Sequence, residues 1–177
     1  MNKRRFLSAC GAFGGLVAAP AWALYDPPPD ALLAAGVGAW RGTLTYRDYQ
    51  HPDRMVILPT RVSGALISPD ELALYYVYDD GPGKTVYSYE RLRLDGAAKR
   101  LTSLSGVSKP GSTDYTVTLL EAGAQGAQLN YERLVDGGVD HFEWRLTPRT
   151  WLLTKREVRA GRDDVVRSRY EFTRDAG

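Results

Sequence analysis

The chain has 177 residues, 44% of them hydrophobic, with 23 Lys+Arg against 21 Asp+Glu, two histidines and a single cysteine, Cys10. This length describes one domain that can bury a real core without covalent staples. One cysteine excludes internal disulfides and any zinc or iron-sulfur site built from several thiolates.

Lys3-Arg4-Arg5-Phe6-Leu7 begins the chain on a basic stretch, Ala9 to Ala19 is a mildly apolar run, and Ala21-Trp22-Ala23 is a small-x-small cleavage site. The segment 1–23 resembles a twin-arginine export signal, because the paired arginines precede a Gly/Ala-rich run less apolar than a Sec signal carries. That resemblance implies a passenger that meets the twin-arginine machinery already folded and ends in the periplasm. As an anchor the run is too short, since crossing the hydrocarbon takes about 20 apolar residues, so no stable membrane span is expected after cleavage. Leu7-Ser8-Ala9-Cys10 has the letters of a lipobox, but its cysteine precedes the apolar run, which argues against lipidation. Loss of Lys3, Arg4 and Arg5 with the signal, while all 21 Asp+Glu remain, turns the net charge of +2 into −1. Nucleic acid is thereby disfavoured as a partner, because phosphate binding rests on a basic surplus.

Residues 24–38 read as a lead-in, extended over Leu24 to Asp30 with Pro27-Pro28-Pro29, that includes a short helix over Ala31 to Ala35 capped by Asp30 and ended by Gly36. From residue 39 to 177 the pattern is that of β-strands. Alternating segments over 39–49, 55–67, 71–79, 84–95, 98–104, 112–121, 126–135, 138–147, 150–159 and 164–174 are separated by Gly, Asp and Pro. Ten strands in series with short links predict an all-β antiparallel up-and-down meander closed into a barrel, because closure removes the unpaired edges. An open β-sandwich is the alternative.

Asp136-Gly137 fits a two-residue hairpin turn. The register it sets places Leu129 opposite Trp144, Tyr131 opposite Phe142 and Arg133 opposite Asp140 on one face, with Glu132 opposite His141 on the other. Leu129, Tyr131, Phe142, Trp144 and Leu146 are expected inside, and His141 and Glu143 outside. Asp79-Asp80-Gly81-Pro82-Gly83 and the Arg159 to Asp163 segment are further turns.

Gly81-Pro82-Gly83-Lys84-Thr85 carries the Gly-Lys-Thr tail of a phosphate loop, yet residue 78 is Tyr where the leading glycine belongs and a strand follows instead of a helix. A tight turn is the better reading, with Asp79, Asp80 and Lys84 left as a loop that could contact a ligand at a barrel mouth. His141 and Glu143 share a strand face, and His51 is the other histidine, but a metal needs more convergent ligands than this pattern supplies. No Gly-x-Ser-x-Gly elbow accompanies the serines. No cofactor or metal-ligand set is identifiable, and the residues do not predict an enzyme.

Tyrosines in the strands, several beside arginines, are the population from which a binding site is most readily built. Turned inward they would line a cavity with apolar walls and fixed donors, suited to a small apolar or amphipathic molecule. The candidates are Tyr46, Tyr87, Tyr89, Tyr131, Phe142 and Trp144, with Arg91 and Arg133 as donors to a polar head.

Gly38-Ala39-Trp40, on the first strand just after a short helix, resembles the Gly-x-Trp opening of lipocalins and the wider calycin superfamily. The resemblance implies that Trp40 plugs one end of the barrel and that an arginine of the last strand, Arg167 or Arg169, packs across it. Three readings follow. The leading one is an exported lipocalin-like barrel holding a ligand in its lumen. The others are a haem-, metal- or catalysis-bearing barrel centred on His141 or on Asp79-Asp80-Lys84, and an envelope interaction protein whose barrel is filled.

Overall fold

The computed structural model describes residues 30–106 and 110–175. The segment read as an export signal, its expected cleavage site, Cys10 and residues 24–29 of the lead-in lie outside the described residues. A short helix, α1 (Ala31–Ala35), precedes ten strands: β1 (Gly38–Arg47), β2 (Met55–Ser68), β3 (Glu71–Asp79), β4 (Thr85–Asp95), β5 (Arg100–Ser105), β6 (Gly111–Gly123), β7 (Gly126–Val135), β8 (Gly138–Leu146), β9 (Thr150–Arg159) and β10 (Val165–Arg174). Each strand pairs antiparallel with its neighbours in the chain, and β10 returns to β1, so the sheet is a closed barrel. The strand limits fall within two residues of those expected from alternation, and the sandwich alternative is excluded by the closing pair Trp40↔Arg174 through Tyr46↔Ser168.

The hairpin of β7 and β8 has the register its turn predicts: Leu129↔Trp144, Tyr131↔Phe142, Glu132↔His141 and Arg133↔Asp140. Gly137 at φ 74° supplies the left-handed backbone that a two-residue turn needs.

One end of the barrel is closed by α1. Asp30 Oδ1 accepts from the backbone N–H groups of Leu32 and Leu33 at 2.9 and 3.4 Å, which starts the helix. Leu32 and Leu33 are both fully buried and sit on Trp40, Val62, Leu72, Leu74, Leu129, Trp144, Leu146, Trp151 and Phe172. The rings of Trp40, Trp144 and Phe172 surround Trp151 at centroid distances of 5.6, 5.1 and 5.7 Å. Gly64 permits the helix to come this close, because a Cβ there would lie 2.2 Å from the carbonyl oxygen of Gly36.

Arg174, and neither Arg167 nor Arg169, covers the tryptophan plug. Its guanidinium carbon stands 4.1 Å from the Trp40 ring centroid. The same group donates to the carbonyls of Ala35, Val37 and Pro148, tying the end of α1 to the last strand. Side-chain parity is the reason: Tyr170, Phe172 and Arg174 alternate onto the face that meets Trp40. Arg169 points outward to Glu171, and Arg167 belongs to an irregularity between Val166 and Ser168 near the opposite end of β10.

Candidate functional site

The half of the barrel away from α1 is not filled. A cavity of about 240 Å³ lies among Tyr76 and Tyr78 of β3, Ser88 and Glu90 of β4, Ser103 of β5, Tyr115 of β6, Tyr131 of β7, Phe142 of β8, Leu153 of β9 and Tyr170 of β10. These positions alternate with outward residues and share the face of the aliphatic core, which is why the meander brings them together. Tyr131 and Phe142 stack at 4.7 Å with their planes 2° apart, and Tyr115 meets both edge-on at 5.1 and 5.3 Å. On the opposite wall Tyr76 and Tyr78 stack at 5.8 Å, and the hydroxyls of Tyr78 and Tyr170 are 3.3 Å apart.

Glu90 is the charged residue in this lining. The Ser103 hydroxyl donates to its Oε1 at 2.6 Å, and the Tyr76 hydroxyl stands 3.5 Å from Oε2. Burial pushes the carboxyl of Glu90 up from its ordinary value, against the pull of those two hydroxyls. Burial raises Tyr76, Tyr78, Tyr115, Tyr131 and Tyr170 as well, with Glu90 adding to each. The lumen is therefore lined by hydroxyls that keep their protons, aromatic faces and one carboxyl.

Around one side of the mouth runs a charged collar. Asp140, 1% exposed, accepts from Arg159 at 2.6 Å, Lys155 at 3.0 Å and Arg133 at 3.1 Å. Glu157 takes Arg167 at 2.9 Å and Lys155 at 3.3 Å. Burial works to raise Asp140, but the three cations outweigh it and hold the carboxyl below its usual range. Glu157 is lowered chiefly by Arg167. The collar touches the cavity through Arg133 over Tyr115 and Lys155 over Phe142, at 6.0 and 5.8 Å.

The structure brings Tyr131 and Phe142 to the cavity, while the other proposed lining residues lie elsewhere. Tyr46 shares the inward face of β1 with Trp40 but sits at the rim, opposite Ser168. Trp144 faces inward and is spent in the packed end, against Trp151. Arg133 is at the mouth, held by Asp140. Tyr87, Tyr89 and Arg91 are on the outer face: Tyr87 is 57% exposed and stacks on Tyr75, Tyr89 pairs with the exposed Tyr75, and Arg91 binds Glu71 at 2.7 Å. Sequence reasoning passed over Tyr76, Tyr78, Glu90, Tyr115 and Tyr170 as a set. The missed signal is parity, since Leu92 and Leu94 fix Ser88 and Glu90 inward, just as Leu72 and Leu74 fix Tyr76 and Tyr78.

The rival centres do not converge on the lumen. His141 is on the outer face, where its Nδ1 lies 3.2 Å from Glu132 Oε2. Asp79 lines an outer groove with Arg41, Arg61 and Tyr87, and Lys84 is paired with Asp80. Among the described residues no group of three His, Cys, Asp or Glu side chains is placed to hold a metal, and no helix is long and apolar enough to cross a membrane.

Ten antiparallel strands closed around an inner cavity, with a helix and a tryptophan at one end, define an up-and-down antiparallel β-barrel. Solved structures with a similar fold include Rv2717c from M. tuberculosis, with a TM-score of 0.60, 12% identity, and coverage of 85% of this chain and 100% of that one, and the S-type phycobiliprotein lyase CpeS from Guillardia theta, with a TM-score of 0.53, 12% identity, and coverage of 82% and 91%. At this identity the likeness is one of fold. No protein-family model matches the chain, and no curated protein matches it.

Proposed function

We propose that this barrel is an exported binding protein that holds a small amphipathic molecule in the mouth half of its lumen. The observation that carries the reading is the cavity of about 240 Å³ walled by five tyrosines, a phenylalanine and one carboxyl. An apolar cavity of roughly 150 Å³ already admits benzene, so a single ring with a short polar side chain fits here. Tyr131, Phe142 and Tyr115 present ring faces and edges to such a body, and the tyrosine hydroxyls and Glu90 give it fixed partners. The structural neighbour named a phycobiliprotein lyase adds support for a barrel that handles organic molecules. Export rests on the twin-arginine-like segment 1–23, and residues 24–38 and 39–177 are the lead-in and barrel that remain.

The test is native mass spectrometry on protein purified from its own cell envelope, with displacement of a hydrophobic dye as the second readout. A bound small molecule, or a dye released by extracts of that envelope, supports the proposal. A barrel of bare mass that takes up no dye overturns it. Cell fractionation with and without an Arg4→Lys, Arg5→Lys change checks the export step, and unchanged delivery would remove it.

A further inference from the structure

Building on the lumenal site just proposed, we infer that its ligand carries a protonated amine, seated against Glu90 and enclosed by the aromatic faces of the cavity. Three observations converge. Among the lining residues Glu90 is the acid, and no Lys or Arg joins it; its Oε1 is held by Ser103 at 2.6 Å, while Oε2 has a single weak partner 3.5 Å away. Around it stand Tyr76, Tyr78, Tyr115, Tyr131 and Tyr170, the titratable groups that face the carboxyl from β3, β6, β7 and β10. A carboxylate within a cage of aromatic rings is a setting that favours organic ammonium, through charge-assisted hydrogen bonds and attraction to ring faces. The cations of the collar do not compete for this carboxyl, since Arg133, Lys155 and Arg159 are engaged by Asp140, and Arg167 by Glu157.

Burial favours the protonated form of Glu90, and wherever the proton is still held an arriving ammonium displaces it. The amine remains protonated, the Glu90 O–H bond breaks, and the proton leaves for solvent. Binding therefore strengthens as pH rises, up to the point where Glu90 is ionised in the free protein.

The experiment is calorimetry on the mature protein with three probes of like shape: 2-phenylethylamine, 2-phenylethanol and 3-phenylpropionate. The amine is expected to bind and the acid to be rejected, with Glu90→Gln weakening the amine by about tenfold to a hundredfold, the worth of one charge-assisted hydrogen bond. On the unmodified protein, proton release shows as a binding enthalpy that changes between buffers of different ionisation enthalpy, a readout independent of how the variant folds. Equal affinity for alcohol and amine, tighter binding of the acid, or amine binding without proton release near pH 4.5, where a carboxyl raised above that ordinary value still holds its proton, overturns the ammonium while leaving the lumenal site standing. Failure of all three probes, with no ligand in the native preparation, overturns both.

Discussion

The two halves of this barrel are built from different chemistry. The end under α1 is solid: Leu32, Leu33, Leu72, Leu129, Trp40, Trp144 and Trp151 are at most 1% exposed and belong to one apolar cluster. The mouth half uses the same strands a few residues further along and replaces leucine and tryptophan by tyrosine, serine, glutamate and a collar of ion pairs. Burial at the first end supplies stability, and that surplus supports a second end whose buried carboxyl and unfilled space contribute little or nothing to it.

Substitutions sharpen this contrast. The largest effect is expected from Trp40→Ala, which empties the centre of the packed end and should cost about 3–5 kcal/mol in urea denaturation. A loss below about 1 kcal/mol would mean that the closed end is not the stabilising half. Asp140→Asn comes next: it strands Arg133 and Arg159 and leaves Lys155 with Glu157 alone, and the partial exposure of these cations limits the loss to on the order of 2 kcal/mol at neutral pH. Because Asp140 is held below its ordinary value of 3.8, its contribution is present above that pH and lost as pH falls through the depressed value. Wild type and variant should therefore converge in acid.

Glu90 has the opposite sign. A carboxyl raised above its ordinary 4.5 favours the unfolded state as pH climbs past that value, since the unfolded chain ionises first. Glu90→Gln should raise the urea midpoint at neutral pH, with the gap closing on acidification; a midpoint that falls at neutral pH would show that the carboxyl is structural. The smallest effect is expected from Tyr87→Ser on the outer face, within about 0.5 kcal/mol and without change in dye binding. A change in dye binding would place a ligand outside the lumen.

Much of this fold is legible in the sequence because local chemistry sets it. The Asp136-Gly137 turn fixes every pair from Leu129↔Trp144 to Arg133↔Asp140, and Asp30 announces α1. The site was harder to read because tyrosine suits either face of a strand. In Tyr87-Ser88-Tyr89-Glu90-Arg91-Leu92-Arg93-Leu94 the aromatic letters draw attention to the odd positions, whereas the leucines are the residues that cannot face water. Following the leucines back turns Glu90 inward and Tyr87 and Tyr89 outward. Arg174 yields to the same rule, counted from Phe172. Arg167 does not: the register shift between Val166 and Ser168 moves it out of alternation, and nothing in the neighbouring letters marks that shift.

The seam between β1 and β10 has a consequence for how the molecule is made. Arg41 and Asp175, bonded across it, are 134 residues apart in the chain. Nine strands can zip hairpin by hairpin during synthesis, but the cylinder shuts only once the final strand has been released, and such long-range closure is slow. Until then the two terminal strands offer bare edges to any passing chain. The proposed twin-arginine route, which carries passengers already folded, would suit a polypeptide whose first and last strands must meet before either is safe.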